Sequence, residues 1–267
     1  MQEDLALFSI DYARKLGAEY ADTRLETHYN ELITAATGKI QRAVINQKQG
    51  IGIRALVKGA WGFQSTTNLS ETGVKSAVSV AVKVATASSK HVPKPAKLAQ
   101  TKAHKDSYAV KAKTDLEDVA FEQKIKMLLK WERNLHTPKT VIRGLVDYTG
   151  IKINKIFINS EGANIRFANT VAWAGLRADA KKGDLNQSYE QTIGHAGGFE
   201  IFEKQDMAKL AQETGKKADS LLKAQPAKEE KNVPVMLNPN YVALLCHEIC
   251  GHPSEADRVL GREAAWA

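Results

Sequence analysis

The sequence predicts an α+β fold in which helices pack on largely antiparallel sheets. Three observations carry that prediction. Stretches of helical period separate two long blocks of strand texture, instead of alternating with single strands as a doubly wound parallel sheet requires. Within the blocks, glycines such as Gly38, Gly59, Gly162 and Gly183 punctuate the alternation at hairpin-like intervals. No phosphate-binding G-x-x-x-x-G-K loop occurs, and the Gly50-Ile51-Gly52 turn runs on into strand-like sequence, so it is not a dinucleotide fingerprint.

The elements follow in order. A stripe of Leu5, Phe8, Tyr12 and Leu16 predicts a helix over residues 4–16, stopped at Gly17. Strands are expected over 22–30, 31–37, 42–49, 52–58 and 60–65, with bends at Gly38, Gly50 and Gly59. Asn68 or Ser70 caps a helix to about Ser88, buried through Val74, Ala77, Val78, Ala81 and Val84. A Lys-rich loop fills 90–113 and contains Pro93 and Pro95. Beyond it, Leu116, Ala120, Met127, Leu128, Trp131 and Leu135 mark a helix over 116–135. A second block of strands covers 141–149, 151–160, 164–180 and 188–195, and a helix spans 206–224. The polar stretch 225–232 reads as a domain joint, before a short strand over 233–237. The domain organisation is therefore expected to be an α+β domain over residues 1–225 and the start of a second domain over 226–267.

Composition narrows the function. The chain has 267 residues, of which 43% are hydrophobic and 25% charged, an ordinary globular make-up. No apolar run approaches the roughly 18 residues of a membrane span, and residues 1–5 lack the basic start and apolar core of a secretion signal. No membrane partner is expected. Cys246 and Cys250 stand four apart and cannot staple distant regions, so a reducing cytoplasm is the expected location. The net charge of +8 is concentrated in residues 90–113, which hold seven Lys, no Arg and a single aromatic, Tyr108. A nucleic-acid platform interleaves aromatics with Arg, so this segment reads as a solvated loop and no specific nucleic-acid partner is expected.

The chemistry lies at residues 238–255, N-P-N-Y-V-A-L-L-C-H-E-I-C-G-H-P-S-E. Asn238 is a good N-cap and Pro239 a good first helical residue. The apolar run Val242–Cys246 predicts a helix buried all round. His247, Glu248 and His252 form H-E-x-x-x-H, one residue longer than the H-E-x-x-H that places two zinc ligands and a general base on one helix face. At about 100° per residue, positions five apart differ by about 140° in a regular helix, so Glu248 and His252 would face each other instead. Pro253 disfavours helical angles at His252 and clashes with the carbonyl four residues back, and Gly251 tolerates unusual angles. The helix is expected to end or bulge between Ile249 and His252, letting His252 swing back toward His247. Cys246 and Cys250 read as small buried helix residues rather than ligands. Trp61 and Phe63 read as core or dimer-interface packing, and Ser160 has no visible nucleophile partners.

His247 to Asp257, H-E-I-C-G-H-P-S-E-A-D, resembles the zinc motif of the TldD/PmbA metalloprotease family. The segment 50–63 (G-I-G-I-R-A-L-V-K-G-A-W-G-F) with S-T-T-N at 65–68 resembles that family's N-terminal signature. N-S-E-G at 159–162 and G-G-F-E at 197–200 resemble its later landmarks. The motif is carried by the TldD branch and absent from the PmbA/TldE branch. The resemblance implies a zinc-dependent peptidase acting on unfolded or flexible polypeptide, working as a homodimer or with a TldE/PmbA-like partner subunit. It implies His247 and His252 as zinc ligands and Glu248 as the catalytic acid/base. The family's third ligand is a downstream cysteine, so the resemblance also implies a substrate-binding and dimerising domain over 1–225, the start of the metallopeptidase domain over 226–267, and a third ligand beyond residue 267. The alternative reading is a non-catalytic, substrate-binding and dimerising subunit that retains the motif.

Overall fold

The computed structural model describes residues 2–226 and 231–262. They divide into two compact units, one ending at residue 224 and one beginning at residue 225. The first unit is built on one seven-stranded sheet. Its strands are β1 (Tyr20–Ala36), β2 (Lys39–Val57), β3 (Ala60–Thr66), β4 (Lys105–Ala109), β5 (Val141–Asn159), β6 (Asn164–Lys182) and β7 (Leu185–Ala196). The sheet order is β3-β2-β1-β5-β6, and the far edge of β6 is shared by β4 near its start and β7 farther along. Only the β4–β6 pairing is parallel. The expected α+β class and antiparallel sheet are what forms.

The strands are longer than the sequence pattern suggests. Gly50 and Gly150 do not end strands; they sit inside β2 and β5, opposite Glu26 and Glu31 of β1. Each makes room rather than a turn. A Cβ at Gly150 would stand 2.5 Å from the Tyr148 hydroxyl, and one at Gly50 would stand 3.3 Å from the Thr66 carbonyl. The true turns are Thr37-Gly38 and Lys58-Gly59, where both residues have positive φ (51° and 73°, 49° and 74°). That is the geometry of a two-residue hairpin whose twist matches its strands.

The helices are α1 (Gln2–Lys15), α2 (Glu71–Ser88), α3 (Phe121–Leu135), α4 (Glu200–Lys204) and α5 (Met207–Leu221). Ser70 caps α2 by accepting the Gly73 N–H, and Asp206 caps α5 through the Lys209 N–H. Val84 faces solvent and Val82 takes the buried place expected for it. A single 3₁₀ turn at Leu116–Asp118 precedes α3, so the expected helix over 116–135 forms in two pieces. The short α4 was not foreseen.

Two apolar clusters result. One joins α1 and α2 to Ala21 and Leu25 of β1 and to Ile51, Ile53 and Ala55 of β2. The other joins α3, α4 and α5 to Ile33 and Ala35 of β1, Val146 and Tyr148 of β5, and Ala172 to Ala180 of β6. Both use the odd-numbered positions of β1, so both helix layers lie on one sheet face. The even-numbered Arg24, Glu26, His28 and Asn30 point to the other face and are half-buried.

A buried ionic network ties α3 to the sheet. Lys124 Nζ lies 2.5 Å from both Glu31 Oε2 and the Leu116 carbonyl, while the Tyr148 and Tyr29 hydroxyls donate to Glu31 at 2.8 and 2.7 Å. Lys124 is fully buried and Glu31 nearly so. The desolvation cost of such a pair is offset only when its remaining donors and acceptors are satisfied, as they are here.

The second unit contains α6 (Pro239–Cys246), a π turn (His247–Gly251), a 3₁₀ turn (His252–Ser254) and α7 (Ala256–Val259). Residues 233–237 take no regular secondary structure, so the expected short strand does not form. The expected burial of α6 is also overturned: Tyr241 is half exposed and Leu244 53% exposed. Its helical form comes from local signals, the Asn238 cap and Pro239, and not from a covering layer. Among the described residues, no helix is long and apolar enough to cross a membrane.

Candidate metal centre

The Asn238 side chain accepts the Tyr241 N–H at 2.8 Å and starts α6 with Pro239 in its first turn. Eight residues later the helix widens. The N–H of His252 bonds the carbonyl of His247, an i→i+5 bond that defines the π turn. The cause lies at Pro253, which has no N–H to donate and whose ring crowds the carbonyl four residues back. Inserting one residue into the preceding turn relieves that crowding and stacks position 252 over position 247. The bulge expected between Ile249 and His252 takes this form.

The π turn resolves the spacing problem. The His247 and His252 ring centroids lie 4.5 Å apart with planes at 84°. Glu248 Oε2 is 3.8 Å from His252 Nε2. One ligand-capable atom from each of His247, Glu248 and His252 lies within 4.8 Å of the others, so the three can reach a common ion. Two imidazoles and a carboxylate suit zinc chemically. All three predicted site residues are therefore brought together at the accessible surface of this unit. Cys246 and Cys250 are free and outside the cluster, and both are exposed, which corrects their reading as buried residues: the helix that carries them has no covering layer.

Two further side chains join the site. Glu255 Oε1 lies 2.7 Å from His252 Nδ1, and Arg258 pairs with the other Glu255 oxygen while donating to the His252 carbonyl at 2.9 Å. The hydrogen bond from His252, with help from Arg258, outweighs desolvation and holds the Glu255 carboxyl below the usual carboxylate range. The sequence signal was present as an acidic residue three places past His252, across the proline.

Other suggestive residues have structural work. Ser160 Oγ accepts the Ala21 N–H at 3.1 Å and pins the β5–β6 turn to β1. Trp61 is part of the surface, edge-on to Tyr20 with Arg54 over its ring, and Phe63 is 58% exposed, so neither is a core residue. The Lys-rich segment is exposed and contributes only the short β4. A groove of about 710 Å³ on the sheet is lined by Arg24, His28, Lys48, Gly52 and Phe63. Its one carboxylate, Glu26, is already paired with His28 and Lys155, and among the described residues none of its lining joins a metal-competent cluster.

Known proteins place the chain in a family. Residues 21–85 match the family domain described as PmbA/TldA metallopeptidase domain 1, and residues 114–222 match the PmbA/TldA metallopeptidase central domain. A metalloprotease of Methanocaldococcus jannaschii is 31% identical over 249 residues, covering 93% of this chain and 54% of that protein. A zinc metalloprotease TldD homolog of Saccharolobus solfataricus is 24% identical over 258 residues, covering 94% of this chain and 54% of that one. The chain thus spans about half the length of these relatives. Among solved structures, a Thermotoga maritima protein named as a candidate modulator of a DNA gyrase aligns with a TM-score of 0.68 at 14% identity, over 85% of this chain and 50% of that one. TldE from Thermococcus kodakarensis aligns with a TM-score of 0.64 at 14% identity, over 79% and 46%. At those identities the structures speak for the fold alone, while the two domain matches cover most of the sequence. The chain belongs to the PmbA/TldD metallopeptidase family.

Proposed function

We propose that this chain carries the metal-binding and acid/base residues of a zinc-dependent peptidase of the TldD type. The observation that supports it most is the π turn, which makes a five-residue His spacing compatible with one ion. In this reading His247 and His252 hold the zinc through imidazole nitrogen. Zinc, when bound, supplies Lewis acidity toward the scissile carbonyl and the attacking water. Glu248 takes a proton from that water and passes it to the leaving amine. The substrate, as the family resemblance implies, is an unfolded or flexible polypeptide. Residues 1–225 bind that polypeptide and mediate assembly, as a homodimer or with a TldE-like subunit, in the cytoplasm. Residues 226–267 belong to the metallopeptidase domain.

Two protein ligands make a weak site, since catalytic zinc normally takes three. The 267-residue chain is therefore expected to bind zinc weakly and to cleave an unstructured protein such as casein little or not at all. Glu248→Gln should keep the parent zinc affinity within a few-fold, because Glu248 is reserved as the base. Loss of zinc on that substitution would make Glu248 a ligand instead, and robust cleavage by the chain alone would overturn the weak-site account.

A further inference from the structure

For His252 to ligate a metal, one of its two ring nitrogens must be free of a proton. A neutral imidazole carries its proton on one nitrogen only, and the partner of that nitrogen selects the tautomer. In this chain the two nitrogens have different neighbours. Nδ1 lies 2.7 Å from Glu255 Oε1, a close hydrogen-bond distance, while Nε2 faces Glu248 Oε2 at 3.8 Å, too far for a hydrogen bond. Glu255 is itself held. Arg258 pairs with its second oxygen and also bonds the His252 carbonyl, so one guanidinium fixes both the carboxylate and the backbone of the histidine it addresses.

We infer that Glu255 is a positioning residue that holds His252 as its Nδ1–H tautomer, with the Nε2 lone pair directed to the space shared with His247 and Glu248. The placement explains the sequence spacing. The 3₁₀ turn His252–Ser254 and the extended backbone at Glu255 (φ −64°, ψ 143°) return the carboxylate to the ring of the residue three places earlier. Carboxylates in this position on a ligating histidine orient the ring and raise its basicity, and losing them typically costs 10- to 100-fold in metal affinity. The inference rests on the metal-site reading for its purpose, but the tautomer does not depend on any metal.

The test uses the 267-residue chain, labelled with ¹⁵N. Long-range ¹H–¹⁵N spectra of the metal-free protein at pH 8 report which nitrogen of His252 is protonated. The Nδ1–H form is expected in the parent and in Glu255→Gln, whose amide oxygen still accepts, and a mixture shifted toward Nε2–H in Glu255→Ala. Zinc competition against a chromophoric chelator should show a tenfold or greater loss for Glu255→Ala and a smaller loss for Glu255→Gln. An Nε2–H parent, or an alanine variant with the parent tautomer, overturns the inference. A parent that has the Nδ1–H tautomer but binds no zinc contradicts the metal reading while leaving the role of Glu255 intact.

Discussion

At the level of single residues, the first unit depends on charges removed from water. Lys124 is the sharpest case, a fully buried ammonium whose three contacts are the Glu31 carboxylate, the Leu116 carbonyl and nearby aromatic faces. Lys124→Met strands Glu31 in the core, and breaking a buried pair from one side typically costs about 3–5 kcal/mol. Urea unfolding should show a loss of that order, with Glu31→Gln in the same chain restoring part of it. Strictly additive losses in the double variant would contradict a coupled pair. Glu200 gives a pH dependence. Burial opposes its ionisation, but the backbone N–H groups of Glu200 itself, Thr114, Lys113 and Gly198 outweigh burial and hold its pKa down to about 2. A depressed folded pKa contributes stability above the unfolded value of about 4.3 and loses it as the pH falls from there toward 2. That contribution is on the order of 2–3 kcal/mol at neutral pH. Between pH 7 and pH 2.5 the parent chain should lose more stability than Glu200→Gln does, and equal losses would contradict the assignment.

Among the elements, what was legible in the sequence was legible for local reasons. Helix starts at Ser70, Asp206 and Asn238 were signalled by side chains that accept backbone N–H groups within three residues. The distortion after Ile249 was signalled by Pro253, whose effect on the preceding turn is steric and short-range. Strand ends were misplaced because they depend on partners far away in sequence. Gly50 and Gly150 look like breaks until the Thr66 carbonyl and the Leu116 side chain occupy the space their missing side chains leave. The same applies to the G-G-F-E landmark. A Cβ at Gly198 would stand 2.0 Å from the Thr114 carbonyl, and the Phe199 N–H bonds that same carbonyl, so this stretch is where the crossing loop is stitched to α4. Its pattern was recognisable, but its physical reason required residue 114 to be brought beside it. Glu255 lay in plain view and was passed over because its partner is a ring nitrogen, and no sequence period reports ring orientation.

For the chain as a whole, a large sheet unit and a small helical unit carry different kinds of information. The first holds nearly all of the apolar core, in two clusters, and its domains match family descriptions along most of their length. The second holds the metal-competent residues on helical turns whose apolar side chains stand exposed, Leu244 at 53% and Ile249 at 66%. Its geometry therefore rests on the Asn238 cap, on Pro239 and Pro253 and on one π turn, and the functional reading rests on that turn bringing two histidines to one ion. Zinc titration of the purified chain beside His247→Ala and His252→Ala tests this most directly. The account predicts one zinc per chain and at least a tenfold loss of affinity in each variant. Binding by either variant as tight as the parent's, or no binding by the parent, would contradict it.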